Sequence, residues 1–342
     1  MPARILPAIM RPGPQPHCEG AVPRRTVLAG LLAIPAAAAA QTEAPIFSPD
    51  RPIRIVVPTG AGGITDILAR IVANRLGARL GVPVVVDNRP GASGIIGTEA
   101  VVRARPDGTT LLMVYPSHPV NPALKAHLPY DTERDLAPIS IVTTVALVLL
   151  VPRDSPDQDV VGLIARARRE RLNYASVGSG SLAHLAAELF RGMAGLEMTH
   201  IPFRSAPEAH TALMRGEVAM FLDPPITTLP LLRGGQVRAI GVTTRSRMAA
   251  LPEVPTIAEA ALPGYEVLGW NGLLAPAGTP APIIARLNEE LRGILAEPEI
   301  RRRLAQHGTE PAPTTPEEFA AIIHADIAKW GRVVREAGIN PD

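Results

Sequence analysis

From Ile53 onward the apolar positions alternate between short β-branched runs and helical stripes. Ile53-Arg54-Ile55-Val56-Val57 reads as a buried strand. After Pro58-Thr59-Gly60-Ala61-Gly62-Gly63, residues Ile64, Ile67, Leu68, Ile71, Val72, Leu76 and Leu80 recur at steps of three and four, with Arg70 and Arg75 off that face. Val84-Val85-Val86 and Thr110–Val114 supply further strands. Strands separated by helix-length segments imply right-handed crossovers and a parallel or mixed sheet, an α/β architecture.

The same unit recurs further along. The apolar run Ile139–Val151 reads as one or two buried strands joining two lobes. Asn173-Tyr174-Ala175-Ser176 leads into Val177-Gly178-Ser179-Gly180-Ser181, and then Leu182, Leu185, Ala186, Leu189, Phe190 and Met193 fall at helical spacing. Ser205-Ala206-Pro207-Glu208 has the form of a capping box, with a helix stop near Gly216. Val218–Leu222 reads as a strand that delivers Asp223 to its end. Two more helices follow. One begins after Thr279-Pro280, and the other opens on the capping box Thr315-Pro316-Glu317-Glu318 and buries Phe319, Ile322, Ile323, Ile327 and Trp330.

The N-terminus breaks this rhythm. Arg24 and Arg25 precede an unbroken apolar or small run, Val27 to Ala40, that ends in five alanines before Gln41. This is the layout of a cleaved export signal. Its apolar run reaches about 21 Å as a helix, short of the roughly 30 Å hydrocarbon core of a bilayer. The paired arginines also match a twin-arginine export signal loosely, and the sequence does not choose between the two routes. Cleavage near Ala40-Gln41 changes the composition. The 342 residues carry 34 Lys+Arg against 32 Asp+Glu, net +2; residues 1–40 hold four of those arginines and one glutamate, leaving −1. The single cysteine, Cys18, goes with them, so no disulfide or cysteine-based zinc site is expected. A near-neutral exported chain also lacks the clustered basic residues of a nucleic-acid surface.

The candidate chemistry lies in two glycine-rich turns, Thr59–Asp66 and Ser176–His184. A glycine turn between a strand and a helix leaves backbone N–H groups free at a helix N-terminus, where donors and dipole favour an anion. If the two turns face one cleft, they could hold opposite ends of a small anion; alternatively, each only satisfies tight-turn geometry. Other motifs fail on detail. Gly91-Ala92-Ser93-Gly94-Ile95-Ile96-Gly97 has G-x-x-G-x-x-G spacing and follows Asn88-Arg89-Pro90, so it is not a dinucleotide fingerprint. Neither turn ends in Gly-Lys-Ser/Thr, and there is no G-x-S-x-G or H-E-x-x-H. Ser179 or Ser181 with His184 lacks a carboxylate nearby in sequence to orient the imidazole, so no catalysis and no metal or other cofactor is expected.

From about Arg51 to Ile339 the chain resembles the Bug-type extracytoplasmic solute receptors of tripartite tricarboxylate transporters. The resemblance is carried by Pro52–Pro58, Gly62-Gly63 with Asp66, Asn88-Arg89-Pro90-Gly91-Ala92 with Gly94 and Gly97, and Pro106-Asp107-Gly108. It continues through Leu172–Ser176, Gly178, Gly180-Ser181, His184-Leu185-Ala186, Leu251–Thr256 and Ala275–Pro280. The family implies a two-lobed periplasmic binding protein of Venus-flytrap type, each lobe a mixed β-sheet flanked by helices. The lobes are expected at 41–145 with 267–342, and at 146–266. Such a receptor, expected to be a monomer, captures a small carboxylate and passes it to large and small membrane transporter subunits. An orphan sensor feeding a membrane histidine kinase is the alternative, and neighbouring genes would separate the two.

The ligand-binding positions implied by the resemblance are Thr59, Gly60, Ala61, Gly62, Gly63, Thr65 and Asp66 in one lobe. Ser176, Gly178, Ser179, Gly180, Ser181, His184 and Asp223 come from the other. For Asp66 a capping role is the simpler reading, for His184 a structural hydrogen bond; for Asp223 ligand contact and turn formation stand level. Thr59 replaces the family's usual aromatic, Leu182 and Ala183 replace small or hydroxylated residues, and Ser205 and Pro224 replace glycine and asparagine. These departures favour a ligand less polar than citrate, an aromatic or short aliphatic carboxylate.

Overall fold

A computed structural model describes residues 49–339; the leader and its cleavage site lie outside the described residues. Two mixed sheets with flanking helices organise the chain, and all described residues belong to one compact unit. The first part runs β1 (Ile53–Val57), α1 (Ile64–Leu80), β2 (Val84–Asn88), α2 (Ile95–Val102), β3 (Thr110–Val114), α3 (Asn121–Leu124) and β4 (Leu136–Ala146). The middle part runs β5 (Val148–Pro152), α4 (Val160–Ala167), β6 (Leu172–Ser176), α5 (Leu182–Ala194), β7 (Met198–Pro202), α6 (Ala206–Met214), β8 (Met220–Asp223), α7 (Pro225–Arg233), β9 (Val237–Val242) and α8 (Ile257–Ala260). The chain ends with β10 (Leu268–Pro276), α9 (Ala281–Ala296), α10 (Pro298–Gln306), β11 (Glu310–Pro311) and α11 (Pro316–Glu336).

The strand order is β11-β4-β10-β3-β1-β2 in the first sheet and β7-β6-β8-β5-β9 in the second. The apolar run 139–151 is two strands, β4 and β5, one in each sheet. Strand β1 pairs in parallel with β2 and β3, and β6 with β7 and β8, whereas β4, β5 and β10 run antiparallel to their neighbours. The inner strands are buried on both faces. Ile53, Ile55 and Val57 pack with α1 and α9, while Val56 joins Leu112, Val114, Trp270 and Phe319 on the other side. Helix α11 serves both sheets: Phe319 and Ile323 fill the core against the first, and Trp330, Val333 and Val334 pack in the core of the second. Phe319 sets one sequence choice. A Cβ at Gly272 of β10 would lie 2.2 Å from its ring, so only glycine fits there.

The capping box at Thr315 forms as expected, the Thr315 hydroxyl accepting from Glu318 N and the Glu318 carboxylate from Thr315 N. The one expected at Ser205 does not. Glu208 accepts from Arg204 N instead, and the Ser205 side chain makes no cap bond. Its reach is taken by the residue before the cap.

Candidate functional site

Both glycine turns leave the C-terminal end of a parallel strand, and each is braced from the next strand out. In the first turn, Asp66 is 2% exposed on the opening turn of α1. Its Oδ2 accepts from Gly62 N at 2.9 Å and Arg70 Nε at 3.0 Å, and its Oδ1 from Asn88 Nδ2 at 3.0 Å. Asn88 Nδ2 also donates to Thr59 O. The parallel register, Val57 opposite Asn88, puts this amide level with the turn. Burial alone would raise the Asp66 carboxyl, but the bonds from Arg70, Gly62 and Asn88 outweigh it and hold the group below the ordinary aspartate range. Asp66 is therefore a strut of the turn, and it uses up the Gly62 amide.

Gly60, Ala61 and Gly63 are exposed, and their amides have no hydrogen-bond partner among the described residues. Gly63 is the N-cap of α1 and no side chain caps the helix. The Thr59 hydroxyl is buried and also without a partner. Thr65 is held from the side, its Oγ1 donating to Asn271 Oδ1 at 3.1 Å. The backbone separates the two glycines: Gly62 has φ +85°, a left-handed value, whereas Gly63 has the ordinary pair φ −75°, ψ 166°.

The second turn is braced by imidazoles. His184 Nδ1 accepts from Gly180 N at 3.1 Å, and His184 N donates to Ser181 Oγ, the N-cap of α5. Ser176 Oγ accepts from Gly178 N at 3.1 Å and lies 2.6 Å from His200 Nε2. The rings of His184 and His200 stack at 3.9 Å with planes 14° apart, and Tyr174 stacks on His200 at 5.1 Å. Burial, and then the neighbouring His200, lower the His184 pKa to about 4. Burial also lowers that of His200. The tight turn needs glycine at Gly178 and Gly180, at φ +116° and +75°. With the Gly178, Gly180 and Ser181 amides all engaged internally, Ser179 keeps an unengaged one.

One strand brings the turns together. Asn271, which holds Thr65, and Gly269 share a face of β10, about 7 Å apart along it. At Gly269 a Cβ would stand 2.6 Å from Leu182 Cδ2 and 3.1 Å from Pro116 Cγ. The first residues of α1 and α5 thus abut the same end of β10, and Leu124 of α3 closes on Gly180. A third loop adjoins the first turn. Gly94 and Gly97 pack against Pro58, and Ala92 and Ser93 adopt φ +47° and +54°. Ser93 O is fixed there by Asn121 Nδ2 at 3.0 Å.

Asp223 ends β8, two residues past Phe221, which pairs with Ala175 of β6, and is 3% exposed. Thr227 Oγ1 donates to its Oδ2 at 2.5 Å, and His210 Nε2 is 3.0 Å from the same oxygen, while Oδ1 has no protein donor among the described residues. Of the serines weighed with His184, Ser181 caps α5, and His184 Nδ1 is occupied by Gly180 N rather than facing Ser179 or Ser181. Among the described residues no cluster of His, Cys, Asp or Glu could hold a metal ion, and no helix is long and apolar enough to cross a membrane.

The family model of the tripartite tricarboxylate transporter family receptor matches residues 68–339. The chain belongs to this receptor family. The receptor is 38% identical to the UPF0065 protein in the tcbD-tcbE intergenic region of Pseudomonas sp. strain P51, over 93% of this chain and 95% of that one. It is 35% identical to the protein BugT of Bordetella pertussis, over 92% and 98%. Among solved structures, Rpa4515 of R. palustris with adipate superposes at TM-score 0.72 with 35% identity, covering 86% of this receptor and 99% of that chain. MatC of Rhodopseudomonas palustris with bound malate superposes at 0.68 with 32% identity, covering 84% and 99%. Members of the family are solute-binding receptors rather than enzymes. Asn88, Arg70, His200 and Asn271, which hold the two turns in place, were not among the residues expected at the site.

Proposed function

We propose that this receptor captures a small carboxylate in the periplasm, between the turns Thr59–Asp66 and Ser176–His184, and hands it to the membrane subunits of a tripartite transporter. On this reading the lobes are 41–145 with 267–342, and 146–266, and they close around the ligand; no chemical step and no cofactor are involved. The observation that carries this reading is the set of amides without partners among the described residues at Gly60, Ala61, Gly63 and Ser179, at the starts of two helices that abut one strand. Three or four hydrogen bonds to a carboxylate contribute about 1.5–3 kcal/mol each, enough after ordering costs for micromolar binding, about −8 kcal/mol. The neighbours solved with adipate and with malate support a carboxylate ligand. Asp223, with one carboxylate oxygen free of donors among the described residues, could accept from a ligand hydroxyl.

Thermal denaturation with adipate, malate and benzoate, each beside its uncharged amide, tests the reading. A ligand that binds only the folded state adds RT ln(1 + [L]/Kd) of stability. A saturable shift with at least one acid and none with its amide is expected. Shifts confined to the uncharged compounds would overturn it.

A further inference from the structure

His184 can brace the second turn only while it is neutral. Its Nδ1 accepts the Gly180 N–H at 3.1 Å, so its proton sits on Nε2. A second proton would have to enter at Nδ1 and would set two donors against each other. His200 differs. Ser176 Oγ, 2.6 Å from its Nε2, already accepts from Gly178 N and lies 3.1 Å from Gly178 O. It can therefore donate to a neutral His200, or turn its proton to Gly178 O and accept from a charged one. The rings stack at 3.9 Å, a distance at which two imidazolium charges exclude each other. The pair accommodates one proton, and the geometry directs it to His200.

The other charged groups around the pair are balanced. Glu188 on α5 accepts from the Tyr174 hydroxyl, and Arg191 donates to its Oε2 at 2.7 and 2.9 Å. Beyond Glu188 and Arg191 lies a cavity of about 630 Å³, to which α11 brings Lys329, Arg332 and Glu336, and the segment before β10 brings Glu266. Glu188 favours the charged form of both histidines, and Arg191 opposes it at His184.

We propose that His184 and His200 form one proton-sensitive brace of the second turn, in which His200 is the positioning residue that keeps His184 neutral and Gly180 in its ligand-receiving conformation. The consequence for ligand rests on the binding reading above; the brace itself does not. Acid beyond the capacity of His200 protonates His184, frees Gly180 N–H and opens the turn.

The test compares the wild-type protein with His200→Gln and His200→Phe. The glutamine removes the titrating ring, and the phenylalanine also keeps a flat stacked surface. Without ligand, NMR follows the His184 Cε1–H and the Gly180 amide against pH. In the wild type both should move together with a midpoint near 4, and in both variants the shared midpoint should rise by about one pH unit. Calorimetry with adipate, whose own ionisation is the same against every variant, should then show affinity at pH 4 about fivefold weaker in the variants than in the wild type. The proposal is overturned by a wild-type His184 midpoint near 6.5, by a Gly180 amide that ignores the His184 titration, or by midpoints that do not move in either variant. If the NMR behaves as expected and neither adipate nor malate binds at any pH, the brace stands and the binding reading falls.

Discussion

Replacing Asp66 by asparagine keeps the shape of the strut and removes its charge. The carboxylate receives Gly62 N at 2.9 Å and Asn88 Nδ2 at 3.0 Å in a site 2% exposed, and Arg70 reaches both of its oxygens. An asparagine has one acceptor oxygen, so its NH₂ group must face one of these donors. Arg70 is half exposed and screened by water, so it is left out of the sum. Losing one charge-assisted bond and weakening the other costs about 2–3 kcal/mol. Unfolding entropy of about 2.1 cal/mol/K per residue over some 300 residues converts this to a Tm lower by about 4 °C at pH 7. The sign with pH follows from the depressed carboxyl. Its stabilisation is complete above the unfolded-state value of about 3.9 and is lost as pH falls through the lower folded-state value. Scanning calorimetry on both proteins from pH 7 to pH 2 should therefore show a gap that holds to about pH 4 and closes below it. Equal melting temperatures at pH 7, or a gap of constant size down to pH 2, would refute the strut.

Other positions give sharper single-site outcomes. Ser93→Gly relieves a left-handed serine at φ +54° and should stabilise by about 0.5–1 kcal/mol, read as a higher urea midpoint. Gly272→Ala forces a methyl into the Phe319 ring at 2.2 Å and should cost about 3 kcal/mol; a midpoint within experimental error of wild type would show that α11 shifts freely. Gly63→Ala has room, the nearest atom being Gly60 O at 3.8 Å, and an ordinary φ, so its Tm should match the wild type. Gly178→Ala, at φ +116°, should lose about 1–3 kcal/mol and weaken carboxylate binding tenfold or more by calorimetry.

The repeating strand–turn–helix units were legible because buried strands and amphipathic helices write different periods into the chain, as in Ile53–Val57 before α1 and Leu172–Ser176 before α5. The box at Thr315 was legible for the same local reason. What failed was also local. Ser205 has the right spacing to Glu208, but the competing acceptor path to Arg204 N is invisible in a pattern. The box formed by Thr256 and Glu259 escaped notice because α8, at four residues, is too short to show a period. At the site, the turns could be read from their glycines, but not which glycine needs its freedom: Gly62 does and Gly63 does not. The braces were harder still. Asn88 and His200 reach the turns from strands that lie beside them only through register, Val57 opposite Asn88 and Tyr174 opposite His200. Register is a property of pairing, which one strand's sequence does not contain.

These two braces give the halves of the site separate responses to acid. Each turn follows an inner parallel strand, and each is held by a side chain from the edge strand beside it, Asn88 on β2 and His200 on β7. The first brace runs through a carboxylate held below its ordinary value and persists as long as Asp66 is ionised. The second runs through a neutral imidazole that takes up a proton near pH 4. On acidification the imidazole brace is expected to be lost near pH 4 and the carboxylate brace below the ordinary aspartate range. If the two points separate, Thr59–Asp66 should keep its shape while Ser176–His184 loses its own. A carboxylate held between the turns would then be released from the α5 side while the α1 side still grips it. Amide resonances of Gly62 and Gly180 followed through one titration separate the two events: Gly180 should move at the higher pH and Gly62 at the lower. The reverse order, or a single coincident transition, would mean that the turns are coupled through β10 more strongly than they are braced from their own edge strands.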